Sequence, residues 1–511
     1  MLKRRGVSGW KLLAVLLCII MMAAGCGNNN GNSGGVNGNQ QPQPDQTEGE
    51  APGADLKPVQ LTWYYAQPSI PADLKEVEAA ANKIIKAKIN ATVKLMPVIF
   101  GDYTQKMNTV AASGESADIV WTSNWNFDYV QNQSKGAFLP LDELLDQYAP
   151  ALASSMPEFV WNATKIDGQI FAVPNYQTVT NQEGFIVQKR FLDKYKWDLS
   201  TLRTMKDIEP ILAQLKMDEP ESFPWAMDRK GAFGNMQRLN GLEPIVNNMV
   251  AIDLSNPNQA VAVYRTPQYK EYLALIHSFY KKGYINQDAS TLKSLTDIQK
   301  RGDAYIGFHN VLKPGGEAES KVQNGGQDVV YAKMTDVYAG TNTIITTMNA
   351  ISRNSNNPER AMMLINLVNT DKELYNLLVY GLEGKHHKVN SDGTVAIVKD
   401  GGYAAADWAL GSVFNGKTLE GKDPAVAEQT RKENESAKPS PIMGFKFKAD
   451  AVTAEIANVN SLIDEYTPGL DTGTINPDDK LPEFLDKLDK AGLDKIVAEV
   501  QRQLDEWRKT K

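Results

Sequence analysis

An α/β fold divided into two large lobes or about three domains is what this sequence predicts, from three observations. Short apolar β runs alternate with amphipathic helical stretches between Val59 and Trp121, an order that builds a parallel, doubly wound sheet with helices on both faces. At 511 residues the chain is too long for one core. Its 42% hydrophobic and 23% charged content is that of an ordinary globular chain, so most of it should fold.

Residues 1–26 have the layout of an export signal. Lys3, Arg4, Arg5 and Lys11 form a basic start, Leu12–Met22 an apolar core, and Ala23-Ala24-Gly25-Cys26 a small-residue cleavage site. The apolar run is shorter than the ~20 residues a spanning helix needs. The A-A-G-C tetrad resembles a bacterial lipobox, with Ala23 where Leu is usual. That resemblance implies a signal of residues 1–25, a diacylglycerol on Cys26 and a lipid anchor in the membrane. Residues 27–56 are Asn, Gly, Gln and Pro with almost nothing apolar, and read as a coil with a reach of roughly 30 Å.

The only cysteines are Cys18 and Cys26, so no disulfide framework or Cys-rich metal site belongs to the folded part. Net charge is −7 and pI about 5.4. Without residues 1–25 and their four basic side chains, 50 basic face 61 acidic groups, a net of −11. A nucleic-acid binder concentrates basic surface, so this balance argues against that class. An acidic mature chain suits solubility outside the cell.

The fold begins with the β run Val59–Tyr65. A helix follows over Pro71–Lys88, with Pro in its first turn and Leu74, Val77, Ala81, Ile84 and Ile85 at helical spacing. Thr92–Met96 is the second strand, Tyr103–Ala112 the second helix and Ala117–Trp121 the third strand. Ligands of α/β sheets bind at the carboxyl ends of strands. The first strand runs into Tyr64, Tyr65 and Gln67, and the third into Trp121, Ser123, Asn124 and Trp125. Indole faces suit the C–H face of a pyranose, and amides and hydroxyls suit its hydroxyls.

In Ile166–Gln177, Asp167-Gly168 is a turn, Ile170–Val173 a short β run, and Pro174 ends it by removing a backbone donor. Asn175, Tyr176 and Gln177 follow at once, again at the carboxyl end of a strand. Downstream come the strand Gly184–Gln188, the helix Met205–Leu215, an aromatic turn at Phe223-Pro224-Trp225, the helix Tyr269–Tyr280 and the strand Ala304–Phe308 ending at His309. Thr343–Arg353 is a further β run. It leads into a helix with Pro358 and Glu359 in its first turn and a core face of Ala361, Leu364, Ile365 and Val368. The final helix is Lys495–Trp507.

Several of these stretches resemble the extracellular solute-binding lipoproteins of ABC importers, carbohydrate or oligosaccharide type and similar to maltose-binding protein. They are D-G-Q-I-F-A-V-P-N at Asp167–Asn175, F-L-P-L-D-E-L-L at Phe138–Leu145 and I-S-R-N-S-N-N-P-E-R from Ile351. Tyr380–His386 and Gly444–Trp507 resemble a subgroup with a C-terminal module of no assigned chemistry. The resemblance implies a two-lobed type II fold, each lobe a mixed, mainly parallel sheet flanked by helices, with hinge strands between. Its lobes are expected at 57–173 with 315–352, and at 174–314 with 353–511. Ile166–Gln177 is the expected first crossing, and the segment from Ile351 the crossing back. It also implies that Tyr64, Gln67, Trp121, Ser123, Asn124, Trp125, Asn175, Tyr176, Gln177, Trp225, His309 and Asn342 face a sugar in the interlobe cleft. The expected partners are that carbohydrate and the permease subunits; a monomer without cofactor is expected.

An enzyme would need a nucleophile, base or metal. His277, His309, His386 and His387 have no metal-binding spacing. Gly381-x-x-Gly384-Lys385 is wrongly spaced for a phosphate loop. Asp471-Thr-Gly-Thr-Ile-Asn-Pro-Asp lacks the ligands of a calcium loop. Distant carboxylate pairs are invisible in sequence, so a surface glycoside hydrolase stays open as the alternative, as does a peptide-binding or sensory protein of the same fold.

Overall fold

From Trp63 to Gln67 every residue of the strand Val59–Gln67 is buried, as both-face coverage of a parallel strand requires. The computed structural model describes residues 56–511; the expected signal, Cys26 and tether lie outside the described residues. The strand pairs in parallel with Ala91–Ile99 on one side and Ile119–Thr122 on the other. The strand Met348–Ile351 is then inserted antiparallel between Ile119–Thr122 and Ala172–Pro174, closing a five-stranded sheet. This is the mixed sheet of a two-lobed type II fold. The helix Leu74–Ile89 covers one face with Val77, Ala81, Ile85 and Ile89, four residues apart, and stops at Asn90 in the left-handed conformation.

A second core, separate from the first, is built on strands Val329–Lys333, Gly184–Gln188 and Ile306–His309. An antiparallel meander, Leu242–Val246, Val250–Asp253 and Asn256–Ala262, and the helix Pro267–Lys281 join it. Three C-terminal helices, Thr453–Asp471, Pro477–Ala491 and Leu493–Arg508, pack onto the same core. Its three-stranded sheet is antiparallel throughout, where a mainly parallel one was expected.

The chain crosses between the cores at about 175–183, 335–340 and 440–449. The crossings lie side by side. Asn181 and Tyr338 exchange backbone hydrogen bonds of 2.8 and 3.0 Å, Tyr338–Ala339 pairs with Lys438–Pro439, and Gly444 N–H donates to the Thr341 hydroxyl at 2.8 Å. Gly444 has φ +90°, and a Cβ there would stand 2.8 Å from the Asn162 carbonyl oxygen. Only glycine fits.

Two expected boundaries move. Residues 315–333 belong to the second lobe, because Val329–Lys333 pairs with Gly184–Gln188. Residues 353–439 belong largely to the first, because the helices Pro358–Thr370 and Lys372–Tyr380 pack into its core. The six residues between Ile351 and Pro358 span at most ~20 Å, so this helix folds back onto its own sheet. The segment from Ile351 is therefore no crossing.

Candidate functional site

Between the two cores lies a cavity of about 730 Å³. The first lobe lends it Asn124, Gln131 and Asn342, the second Arg238, Glu243 and Asn310, and the third crossing Phe445 to Asp450. The loop after Ile119–Thr122 is clipped to residues 342–346: the Asn124 carboxamide donates to the Asn342 carbonyl at 2.9 Å, and the Trp125 indole N–H donates to the Thr346 carbonyl at 2.9 Å. Buried Ser123 does not face outward; its hydroxyl takes the backbone N–H of Asn126 at 2.8 Å and shapes this loop.

Trp125 is 54% exposed, rare for so large an apolar group. Beside it stand Phe100 and Trp408, with ring centroids 5.8 and 6.3 Å away, and buried Trp121 meets it edge-on at 5.5 Å. Phe100 and Trp408 stack within 6° of parallel. The result is an aromatic corner at the carboxyl edge of the first sheet.

A buried amide network mounts this corner. Gln67 accepts from the Ala406 N–H at 2.7 Å, and the Thr347 hydroxyl donates to the Trp408 carbonyl at 2.9 Å. The Asn349 carboxamide donates to Asn175 at 2.8 Å and to the Leu410 carbonyl at 3.2 Å. The Trp121 indole and the Asn175 carboxamide both donate to Thr347, at 2.8 and 2.9 Å. Val413 N–H reaches the Tyr176 carbonyl at 2.9 Å. Gln67, Trp121, Asn175 and Tyr176 are all buried. These expected ligand contacts instead hold the 405–413 segment that presents Trp408.

Other expectations also change. Tyr64 is core, with its hydroxyl on Glu115 at 2.9 Å. Trp225 is 2% exposed and packs edge-on against Phe185 inside the second core, because its backbone is bridged to Ile285 on one side and to Ile306 on the other. Half-buried Gln177 accepts from the Asn434 carboxamide through its carbonyl at 2.7 Å. His309 stays exposed at its strand end, with Nδ1 accepting from the Val311 N–H at 3.0 Å. Asn124, Trp125, Gln177, His309 and Asn342 are the expected residues left at least partly on accessible surface.

Charge gathers where the crossings meet the cavity. The Glu183 carboxylate accepts from the Tyr338 hydroxyl at 3.0 Å and from the Leu239 N–H at 2.8 Å. Burial outweighs both and pushes its pKa up to about 7. Arg238 pairs with Glu243 and lies 4.3 Å over the Tyr338 ring. On the third crossing, burial and then the nearby Lys511 bring the Lys446 ammonium down to about 7. Phe100, Trp408, Glu183, Arg238 and Glu243 were not singled out from sequence, whereas Asn310 stands at the strand end where ligand-facing residues were expected. Trp408 alone left a signal, a tryptophan in the small-residue run Ala404–Ala409.

Among the described residues no cluster of His, Cys, Asp or Glu could hold a metal ion. The arrangement is one of aromatic faces, amides and a few charges around a cavity, suited to holding a ligand without covalent chemistry.

Residues 63–380 match the bacterial extracellular solute-binding protein family, and residues 441–509 match a domain of unknown function (DUF3502). A carbohydrate ABC transporter substrate-binding protein of Streptococcus pneumoniae serotype 4 is 32% identical over 451 residues, 86% of this chain and 89% of its own. The crystal structure of the N-glycan transport solute binding protein (NgtS) from Streptococcus pneumoniae is similar with a TM-score of 0.74 and 29% identity, covering 89% of this chain and 99% of that one. In complex with Man1GlcNAc the same protein gives a TM-score of 0.63 at 28% identity over 88% and 100% of the two chains. With Man5GlcNAc it gives 0.60 at 30% over 89% and 99%. The chain belongs to the bacterial extracellular solute-binding proteins, a family of binders and not of enzymes.

Proposed function

We propose that this protein is the substrate-binding component of a carbohydrate ABC importer, taking an oligosaccharide into its interlobe cleft. The observation that carries this is the aromatic corner of Trp125, Trp408 and Phe100, whose Trp125 is next in the chain to Asn124, which lines a cavity rich in amides. Pyranose rings present an apolar face and a hydroxyl rim, and this surface offers stacking for one and hydrogen bonds for the other. Trp125, Asn124, His309 and Asn342 are the contacts, joined by Trp408 and Arg238. The carbohydrate transport relatives support the same ligand class.

Closure about the three crossings brings the second-lobe wall onto the sugar. The closed, monomeric protein then presents the sugar to the permease subunits. A lipid on Cys26 and the tether after it would keep the body at the outer face of the cell membrane, free to turn toward them. Among the described residues no helix is long and apolar enough to cross a membrane.

Isothermal titration of the whole mature chain with Man5GlcNAc tests the ligand class. Micromolar or tighter binding, with a shrinking radius of gyration in solution scattering, is the expected outcome. A full panel of neutral oligosaccharides giving neither heat nor a thermal shift would overturn it.

A further inference from the structure

Residues 445–450, at the end of the third crossing, have cavity on two sides. One is the interlobe cavity already described. The other is a space of about 960 Å³ between the first-lobe turn around Asn162–Gly168 and the last helix, Leu493–Arg508. Both cavities are lined by Val130, Phe445, Lys446, Lys448 and Asp450, so they lie against the same stretch of the crossing. The far wall is rigid. Leu493, Ile496, Val500 and Leu504 bury one side of the last helix, leaving Arg502, Gln503 and Trp507 toward the space. Two ties fix the crossing to the first lobe: Lys448 pairs with Asp167 at 3.3 Å, and the Lys446 ammonium donates to the Lys165 carbonyl at 2.6 Å.

The lining sets one aromatic pair, Trp507 with Phe445, among charged side chains that include Asp167, Glu499, Arg502 and Glu506. Trp507 is half-buried, packs edge-on against Phe445 at 5.7 Å and carries the Lys511 ammonium 5.1 Å over its ring. Asn162, Gln503 and Thr510 add amides and a hydroxyl. Each cavity falls in the ~300–1,000 Å³ range of sites that enclose one small ligand. A short saccharide fills one of them, and a branched one can reach both.

We infer that the C-terminal segment, 441–509, is part of the binding apparatus: it walls a second chamber that takes the outer residues of a long or branched oligosaccharide. This rests on the carbohydrate function proposed above, and the test separates the two. Man1GlcNAc and Man5GlcNAc are titrated into the whole mature protein, into Trp507→Ala, which removes the stacking face, and into Thr510→Trp, which fills the chamber from an exposed position.

Both variants should weaken Man5GlcNAc about tenfold, ~1.4 kcal/mol, and leave Man1GlcNAc within about twofold. Thr510→Trp should melt with the wild type, which removes misfolding as a cause. Equal losses for both glycans, or no loss for either, would overturn the second chamber while leaving the carbohydrate function standing. A wild-type protein that binds neither glycan would overturn both.

Discussion

Replacing Trp125 with alanine separates binding from packing. The side chain is 54% exposed, so of the ~250 Å² a tryptophan can bury, about 135 Å² is free for a ligand. A pyranose on one face covers roughly half of that, ~70 Å². At ~25 cal/mol per Å² this gives about 1.7 kcal/mol, near a 20-fold rise in Kd. The other half already packs on Trp121, Phe100 and Trp408, so the free protein should lose stability too, by about 1–3 kcal/mol. Trp125→Phe should recover most of the affinity. The control is Trp225→Ala, which opens the second core and should cost about 3–5 kcal/mol of stability with no specific loss of affinity. Titration calorimetry with Man5GlcNAc and urea unfolding read the two quantities. An unchanged Kd in Trp125→Ala, or a Trp225→Ala protein that stays stable but loses binding, would refute the assignment.

Glu183 has a folded pKa of about 7, raised by burial. Its stability contribution is therefore full below its unfolded pKa near 4.5 and is lost as pH rises through 7, by up to about 3 kcal/mol. Glu183→Gln keeps an acceptor for Tyr338 and Leu239, so its melting temperature should exceed the wild type's at pH 8, with the gap closing toward pH 5; a constant gap would refute this. Gly444→Ala must hold φ +90° and place a Cβ 2.8 Å from a carbonyl oxygen. It should lose at least ~1–2 kcal/mol in denaturant unfolding, whereas wild-type stability would show that the third crossing relaxes. Cys26→Ser should shift the protein from the membrane to the soluble fraction without changing its melting curve, and an unmodified Cys26 in mass spectra of the membrane fraction would end the anchor idea.

The first sheet was legible because its order is local. Strands and helices alternate with clear periods from Val59 to Trp121, and Val59–Gln67, Leu74–Ile89 and Ala91–Ile99 fall within a few residues of the expected bounds. In the second lobe single elements were legible, Gly184–Gln188 and Pro267–Lys281 among them, but their pairing was not. The sheet joins Gly184–Gln188 to partners more than a hundred residues away, and pairing at that distance leaves no periodic trace. The same holds for the lobe boundaries. Met348–Ile351 and the helix after it read as a strand and a helix from local pattern, yet only antiparallel insertion between Ile119–Thr122 and Ala172–Pro174 assigns them to the first lobe.

The site was half legible for a different reason. Polar residues at the carboxyl ends of strands were expected to face a ligand, and Gln67, Asn175 and Tyr176 do stand at that edge. What sequence cannot show is that residues 405–413 return over the same edge, giving the Ala406 N–H to the Gln67 carboxamide and the Val413 N–H to the Tyr176 backbone carbonyl, while the Asn175 carboxamide is taken up by Thr347 and Asn349. These partners are present whether or not a sugar is bound, so the Gln67 oxygen and the Asn175 carboxamide are committed to the protein's own chain. The edge therefore works at one remove: the amides hold the loop, and the loop holds Trp408 against Phe100. Substitutions in the network, Asn349→Leu above all, should then weaken sugar binding through disorder of Trp408. Added ligand would restore order only partly, since buried groups such as the Trp63 indole and the Leu410 carbonyl lose their partner.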